Sequence, residues 1–410
     1  MAMSKKHYSL FSVFGIELEY MIVDMKDLSI RPMADQLILK VAGHLDNEVE
    51  LGPIAISNEL ALHVIELKTN GPVKTLEGLA ECFYEVILQL NEILKGEGAQ
   101  LMPTGAHPWL DPKKGIQLWH HGDRKIYETF HRIFNCSGHG WGNLQSTHLN
   151  LPFGNEEEFV RLHTAIRLLL PFIPALTAST PILEGVYEGA LDARLLFYGS
   201  NQAKIPHISG FIVPEAIDSI EAYHRLILNP MYEEIAQYDH ENLMQNEWLN
   251  SRGAIARFER NAIEIRILDL QESPMMDISI IGLLTKALKY LTEKNLLASL
   301  TYPTEALKKI YDEVIHLGFE AVIQDPILLS FFSLPLKAPC SVKMFWQALF
   351  ESIPEKLTQE EQEAIHRLLK EGNLAQRILT AVGTPIEPKN LKTAYENLCE
   401  SLKQNKAFIP

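Results

Sequence analysis

The stretch Gly15-Ile16-Glu17-Leu18-Glu19-Tyr20, inside the longer run SVFGIELEYMIVD, decides the reading of the fold. Side chains alternate faces along a strand, so residues two apart share one. Here Ile16, Leu18 and Tyr20 share one face, and Glu17 and Glu19 share the other. The same division recurs in Thr147-His148-Leu149-Asn150-Leu151, where an aliphatic face opposes His148 and Asn150. It recurs again in Ile263-Glu264-Ile265-Arg266-Ile267, where a branched face opposes Glu264 and Arg266. A sheet with one face on the core and one in water explains the alternation alone. Such faces usually mix Lys, Thr, Ser and Gln, whereas these carry Glu-Glu, His-Asn and Glu-Arg. Two glutamates on one strand face repel unless a cation sits between them.

Outward from these strands, SNELALHVIELKTNGP also alternates and stops at Gly71-Pro72. Its Glu59 and Glu66 fall an odd number of residues apart. In a regular strand they would face opposite ways, so either a bulge intervenes or Glu59 precedes the strand. MADQLILKVAGHL has helical spacing. TLEGLAECFYEVILQLNEILKGEG is an amphipathic helix, with Thr75 as the expected N-cap and Gly96 as the stop. Beyond residue 280 the chain reads as almost entirely helical. PTEALKKIYDEVIHLG has Thr304 as expected N-cap and Gly318 past its end, and LTQEEQEAIHRLLKEGN opens on a Thr358-x-x-Glu361 capping box. Strands and helices do not alternate as in a doubly wound sheet. The expected class is α+β: an antiparallel sheet, helices on one face and a helical C-terminal extension. The expected division is a catalytic core over 1–280 and a helical part over 281–410 packed on the same domain.

Composition narrows the function. The chain has 410 residues, with 52 Asp plus Glu against 37 Lys plus Arg and a net charge of −15. That balance argues against general nucleic-acid or anionic-membrane binding, which rewards clustered basic residues. Cys82, Cys136, Cys340 and Cys399 lie far apart with no CxxC pair, so they read as reduced thiols of a cytoplasmic protein. The first twenty residues mimic a signal peptide but run into Glu17 without a small-residue cleavage site. LHTAIRLLLPFIPALTASTPIL carries His163, Arg167, Pro171 and Pro174, and reads as a buried helix broken at its prolines.

Carboxylates with one imidazole suit a hard divalent cation, Mg²⁺ or Mn²⁺, and four or five carboxylates exceed the needs of one ion. Two or three ions are the arrangement that clamps nucleotide phosphates for transfer. Arg194, Arg252, Arg257, Arg260 and Arg266 could neutralise a moving phosphoryl group. For each taken singly, a surface or ion-pair role is the default, except Arg266 on the polar strand face. There is no GxxxxGK[ST] loop, no HExxH and no dinucleotide fingerprint around Gly96-Glu97-Gly98. Gly138-His139-Gly140-Trp141-Gly142-Asn143 is either a loop approaching a ligand or a plain turn. His120-His121-Gly122-Asp123 looks ligand-like, but adjacent histidines diverge in regular structure, so it reads as a solvated loop.

The order GIELEY, NELALHVIELKTNGP, PTGAHPW, GHGWGNLQSTHLNLPF, ALTASTPILEGVYEGALDAR, AIEIRILDLQESP resembles the glutamate–cysteine ligase superfamily, in particular the second-type ligases and their carboxylate–amine ligase relatives. The likeness runs from about residue 12 to about residue 275. It implies a glutamine-synthetase-like catalytic fold with a curved antiparallel sheet forming a funnel for ATP and Mg²⁺ or Mn²⁺. It implies phosphorylation of the γ-carboxylate of glutamate and attack by the amino group of cysteine. Glu17, Glu19, Glu59, Glu66, His148 and Glu264 match the metal-ligand positions. Arg266 matches a phosphate-contacting arginine, Glu264 and Arg266 being the positions that would meet the nucleotide, and Arg194 matches an arginine near the substrate. Relatives also admit a homodimer. The alternatives are a ligase of the same chemistry with another acid or amine, and a catalytically silent relative that keeps the fold.

Overall fold

The computed structural model describes residues 7–122 and 124–410. Eight strands build one antiparallel sheet: β1 Gly15–Asp24, β2 Glu48–Leu51, β3 Ile54–Asn58, β4 Val64–Thr69, β5 Ala99–Met102, β6 Ser146–Pro152, β7 Ala254–Arg257 and β8 Ala262–Asp269. Their order is β2-β3-β4-β1-β6-β8-β7, with β5 also paired to β1. The sheet is open, and the expected α+β class holds.

Strand β1 is the centre. Its register sets Glu17 opposite Lys68 of β4 and His148 of β6, and Glu19 opposite Glu66 of β4. Ile16, Leu18, Tyr20 and Ile22 project to the other face and are wholly buried. They meet Ile65 and Leu67, Leu149 and Leu151, and Ile263, Ile265 and Ile267 in one apolar core. Helices Ala34–Ala42, Leu79–Lys95, Glu156–Leu169 and Pro274–Thr292 add their apolar stripes to that core. A sheet with one aliphatic face needs such a cover, because burial of apolar area drives the packing.

The far half of the polar face has another fate. Met21 and Val23 share a face with Glu17 and Glu19, yet they pack with Leu374, Ile378, Tyr395 and Leu398 from helices Leu374–Val382 and Pro388–Gln404. The C-terminal helices therefore close one end of the polar face and leave the other open. A buried ion pair at 2.6 Å, Arg377 to Glu272, fastens them to the segment after β8.

Several local expectations need correction. SNELALHVIELKTNGP is not one strand: Ser57 and Asn58 end β3, residues 59–63 connect, and Val64–Thr69 is β4. The helix expected from Thr75 starts at Leu79 after Gly78, and Thr75 only accepts from the Glu77 amide. Thr304 is the first helical residue and not the cap; its hydroxyl accepts instead from buried Arg167. The prolines at 171 and 174 do not break their helix. Helical structure runs from Glu156 to Thr177, with a 3₁₀ turn at Leu170–Phe172. Among the described residues it alone is long and apolar enough to cross a membrane, and 89% of its most apolar 18-residue window is buried in the fold. The Thr358–Glu361 capping box is present in full.

Candidate active site

Three strands and one loop deliver the polar residues to a pocket of about 720 Å³. Its floor is the open half of the sheet's polar face: Glu17 and Glu19 from β1, Glu66 and Lys68 from β4, Ser146, His148 and Asn150 from β6, Glu264 and Arg266 from β8. Glu59 lies just past β3, in the connection to β4, which resolves its odd spacing. The loop turns it back toward Glu66 instead of the opposite face.

Five of the six expected metal ligands converge. Glu17, Glu66 and His148 offer ligand atoms within 4.8 Å of one another, as do Glu19, Glu59 and Glu66. The two triads share Glu66. Glu264 stands apart from both, held by Arg257 at 2.9 Å and Arg266 at 2.9 Å.

Hydrogen bonds fix the cluster. His148 Nδ1 contacts Glu17 Oε2 at 2.7 Å, and Nε2 contacts Ser146 Oγ at 2.8 Å. Asn150 donates to Glu17 at 3.2 Å. The Ser146 amide and hydroxyl donate to Glu19 at 2.6 and 3.0 Å. Ser57 donates to Glu66 at 2.7 Å, and Lys68 bridges Glu66 to Glu48.

The electrostatics are those of a cation site. Burial pushes the Glu59 carboxyl well above its ordinary range, and Glu19 and Glu66 push it further. Burial also raises Glu19; His148 and the Ser146 bonds offset this only in part, and Glu66 adds to it. For Glu17 burial is outweighed by the hydrogen bond and charge of His148, with Lys68 and Arg260, which bring it down to about 2. Burial lowers His148, but the hydrogen bond to Glu17 and the charges of Glu17, Glu19 and Glu264 reverse this and lift it to about 9. Clustered carboxylates in a partly dry pocket must hold protons or a cation. The donor set, four carboxylates and one imidazole, fits Mg²⁺ or Mn²⁺.

The arginines divide. Arg266 lines the pocket, pairs with Glu264 and donates to the Asn250 carbonyl at 3.2 Å. Arg194 also lines the pocket but is wholly buried, with its Nε on Asp269 and an NH₂ on the Ile267 carbonyl at 2.8 Å. Asp269 in turn accepts from the Ser179 amide and the Thr180 hydroxyl. Gly105 packs against this carboxylate so closely that a Cβ there would lie 2.6 Å from the Asp269 Cγ. Arg257 and Arg260 reach the pocket as well, whereas Arg252 is spent on a two-pronged buried pair with Glu215 at 2.6 and 2.7 Å.

The glycine-dense loop at 138–143 does approach the pocket, through Gly140 and Trp141. Trp141 packs with Phe130, which also meets Trp248. With Tyr127 these rings form an aromatic wall of the pocket. Sequence reasoning passed over this wall and Lys68, Ser146 and Asp269. Lys68 and Ser146 carried a signal, since each lies two residues from a chosen ligand on the same strand face. Asp269 and the aromatic wall carried none.

The comparisons with known proteins agree with this geometry. A protein of Archaeoglobus fulgidus with no assigned function is 32% identical over 400 residues, covering 97% of this chain and 100% of that one. The crystal structure of glutamate–cysteine ligase from Francisella tularensis in complex with AMP superposes with a TM-score of 0.64 at 13% identity, over 97% of this chain and 90% of that one. A bifunctional glutathione synthetase from Pasteurella multocida gives 0.63 at 14% identity, over 96% of this chain and 53% of that one. At such identities these two structures speak for the fold. Residues 13–401 match the sequence model of the glutamate–cysteine ligase family 2. The protein is thus an ATP-dependent carboxylate–amine ligase. Within that class the chain belongs to glutamate–cysteine ligase family 2.

Proposed function

We propose that this ligase phosphorylates the γ-carboxylate of glutamate with ATP and joins it to the amino group of cysteine, forming γ-glutamylcysteine. One observation carries the reading: two cation triads sharing Glu66 lie in one pocket with Arg266 and Arg194. A carboxylate is a poor electrophile until its oxygen becomes a leaving group. Its oxygen attacks the γ-phosphorus, the bond to the β-bridging oxygen breaks, and ADP leaves. The amine nitrogen then attacks the acyl carbon, the carbon–oxygen bond breaks, phosphate leaves, and the amine proton passes to a base or water.

Each side chain has a task in this scheme. Glu17, Glu66 and His148 on one side, and Glu19, Glu59 and Glu66 on the other, would hold Mg²⁺ or Mn²⁺, which neutralises phosphate charge. Glu264 keeps Arg266 extended into the pocket, where its guanidinium can meet the transferring phosphoryl group. Arg194 offers positive charge from the floor without leaving its pair with Asp269. Ser146 and Asn150 hold Glu19 and Glu17 in place.

A second reading keeps the chemistry and changes the amine. The aromatic wall of Tyr127, Phe130, Trp141 and Trp248 favours it, since it could seat a larger, flat acceptor. ADP release measured with glutamate, Mg²⁺ and a panel of amines decides between them. Cysteine should give the strongest stimulation; stimulation by another amine with none by cysteine sinks the first reading. Glu19→Gln should lower turnover at least about a hundredfold and abolish the Mg²⁺-induced rise in melting temperature. Near-normal turnover in that variant would remove the cation assignment.

A further inference from the structure

Outside the pocket a second group of ligand atoms converges. Asp35 lies in the first turn of helix Ala34–Ala42, and His120 and His121 lie in an irregular strap that runs past it. One oxygen of Asp35 and one ring nitrogen from each histidine lie within 4.8 Å of one another. The strap's irregularity matters. In a strand or helix neighbouring side chains diverge, but here the two imidazoles approach to 4.1 Å between ring centroids. His121 Nε2 already contacts Asp35 Oδ2 at 3.0 Å, while the Gln36 amide occupies the other Asp35 oxygen. Buried Trp119 anchors the strap and packs edge-on against His121 at 5.1 Å. His120 is exposed and His121 and Asp35 are half-buried, so an ion can enter from solvent.

We propose that Asp35, His120 and His121 form a transition-metal site of the zinc class, separate from the ligase pocket. The donor set decides the class. Two imidazoles and a carboxylate, with room for a water as fourth ligand, are the usual open zinc set. Mg²⁺ prefers oxygen alone. Tetrahedral zinc needs ligand atoms about 3.3 Å apart, a contraction that exposed side chains reach by small rotations. The competing explanation is a plain His121–Asp35 ion pair, which leaves the approach of His120 without a cause.

The site's position gives it a consequence. The strap is hydrogen-bonded to the connection that carries Glu59: the Leu62 amide donates to the Gln117 carbonyl and the Trp119 amide to the Leu60 carbonyl, each at 2.8 Å. The Ala34 amide donates to the Leu62 carbonyl at 2.8 Å. An ion joining Asp35 to His120 and His121 therefore clamps both neighbours of the 60–62 segment, one residue from Glu59. This inference does not depend on which amine the ligase uses.

Zinc binding to the full chain by equilibrium dialysis, in excess Mg²⁺, tests it. The wild type should take up one equivalent per chain that the His120→Ala/His121→Ala variant loses, with Asp35→Asn binding about tenfold more weakly. Glu19→Gln should retain that equivalent, which separates it from any zinc entering the ligase pocket. Amide exchange at Leu62 and Trp119 should slow about tenfold with zinc in the wild type and stay unchanged in the double variant. Equal zinc uptake by wild type and a folded double variant, or its loss in Glu19→Gln, would overturn the assignment.

Discussion

Asp269 has no exposed surface, yet it organises one wall of the pocket by holding Arg194, Ser179 and Thr180 at once. Its neighbour Asp192 is equally buried, and burial together with repulsion from Asp269 pushes its carboxyl well above the ordinary range. The two acids therefore differ in state: Asp269 serves as the anion for Arg194, and Asp192 as a neutral acceptor. Asp269→Asn should lower kcat/KM for the acid substrate about ten- to a hundredfold, because Arg194 loses its anchor. Asp192→Asn should stay within a fewfold of wild type, since it replaces a neutral group with another good helix cap. Steady-state kinetics on both variants checks the pair, and equal losses would deny the distinction. At this scale the period-two pattern exposed Glu17, Glu19, His148, Glu264 and Arg266. Asp269 sits at the end of β8 among residues that carry no pattern, and only the approach of Arg194 reveals it.

Among the elements, capping shows what local chemistry can and cannot say. Thr358 and Glu361 satisfy each other's backbone donors, so a two-residue signature marked the start of helix Gln359–Glu371. Thr75 and Thr304 had no such reciprocal partner, and tertiary contacts redirected both. Thr358→Ala should cost about 1 kcal/mol by denaturant titration and leave turnover unchanged. The connection between β3 and β4 is the other instructive element. Continuous alternation hid a break at 59–63, and that break lets Glu59 and Glu66 face the same ion.

For the whole molecule, the C-terminal helices are fastened to the sheet by Glu272 and Arg377, both buried, with Phe408 bonded to each. We propose that residues 281–410 unfold together with the sheet. Arg377→Met should cost about 3–5 kcal/mol by leaving Glu272 buried and unpaired, and adding Glu272→Gln should recover part of it. Fluorescence and circular dichroism should report one coincident transition; two transitions would make the C-terminal part a separate unit. Acid sensitivity belongs to this scale too. His163 is wholly buried with neither ring nitrogen bonded, and burial, then Arg167 and Arg252, lowers it to about 3. Its folded value lies below the unfolded value of about 6.5, so the unfolded chain takes the proton first. The stability it supports is complete above pH 6.5 and is lost at up to about 1.4 kcal/mol per unit as pH falls toward 3. His163→Phe, set among Phe159 and Tyr223, should flatten that slope in urea titrations at stepped pH.

The excess of acid, 52 carboxylates against 37 basic groups, divides along the same lines. The sequence by itself determined the α+β class, the two faces of β1, β6 and β8, and the ligands on their polar faces. These follow from a period of two and from residue type, which are local properties. Only the tertiary structure decided that Glu59 joins Glu19 and Glu66, that Glu264 is held by two arginines, and that the C-terminal helices cover Met21 and Val23. Each of those depends on register and on chain returning from far away. A side chain's own neighbours in sequence carry no record of either.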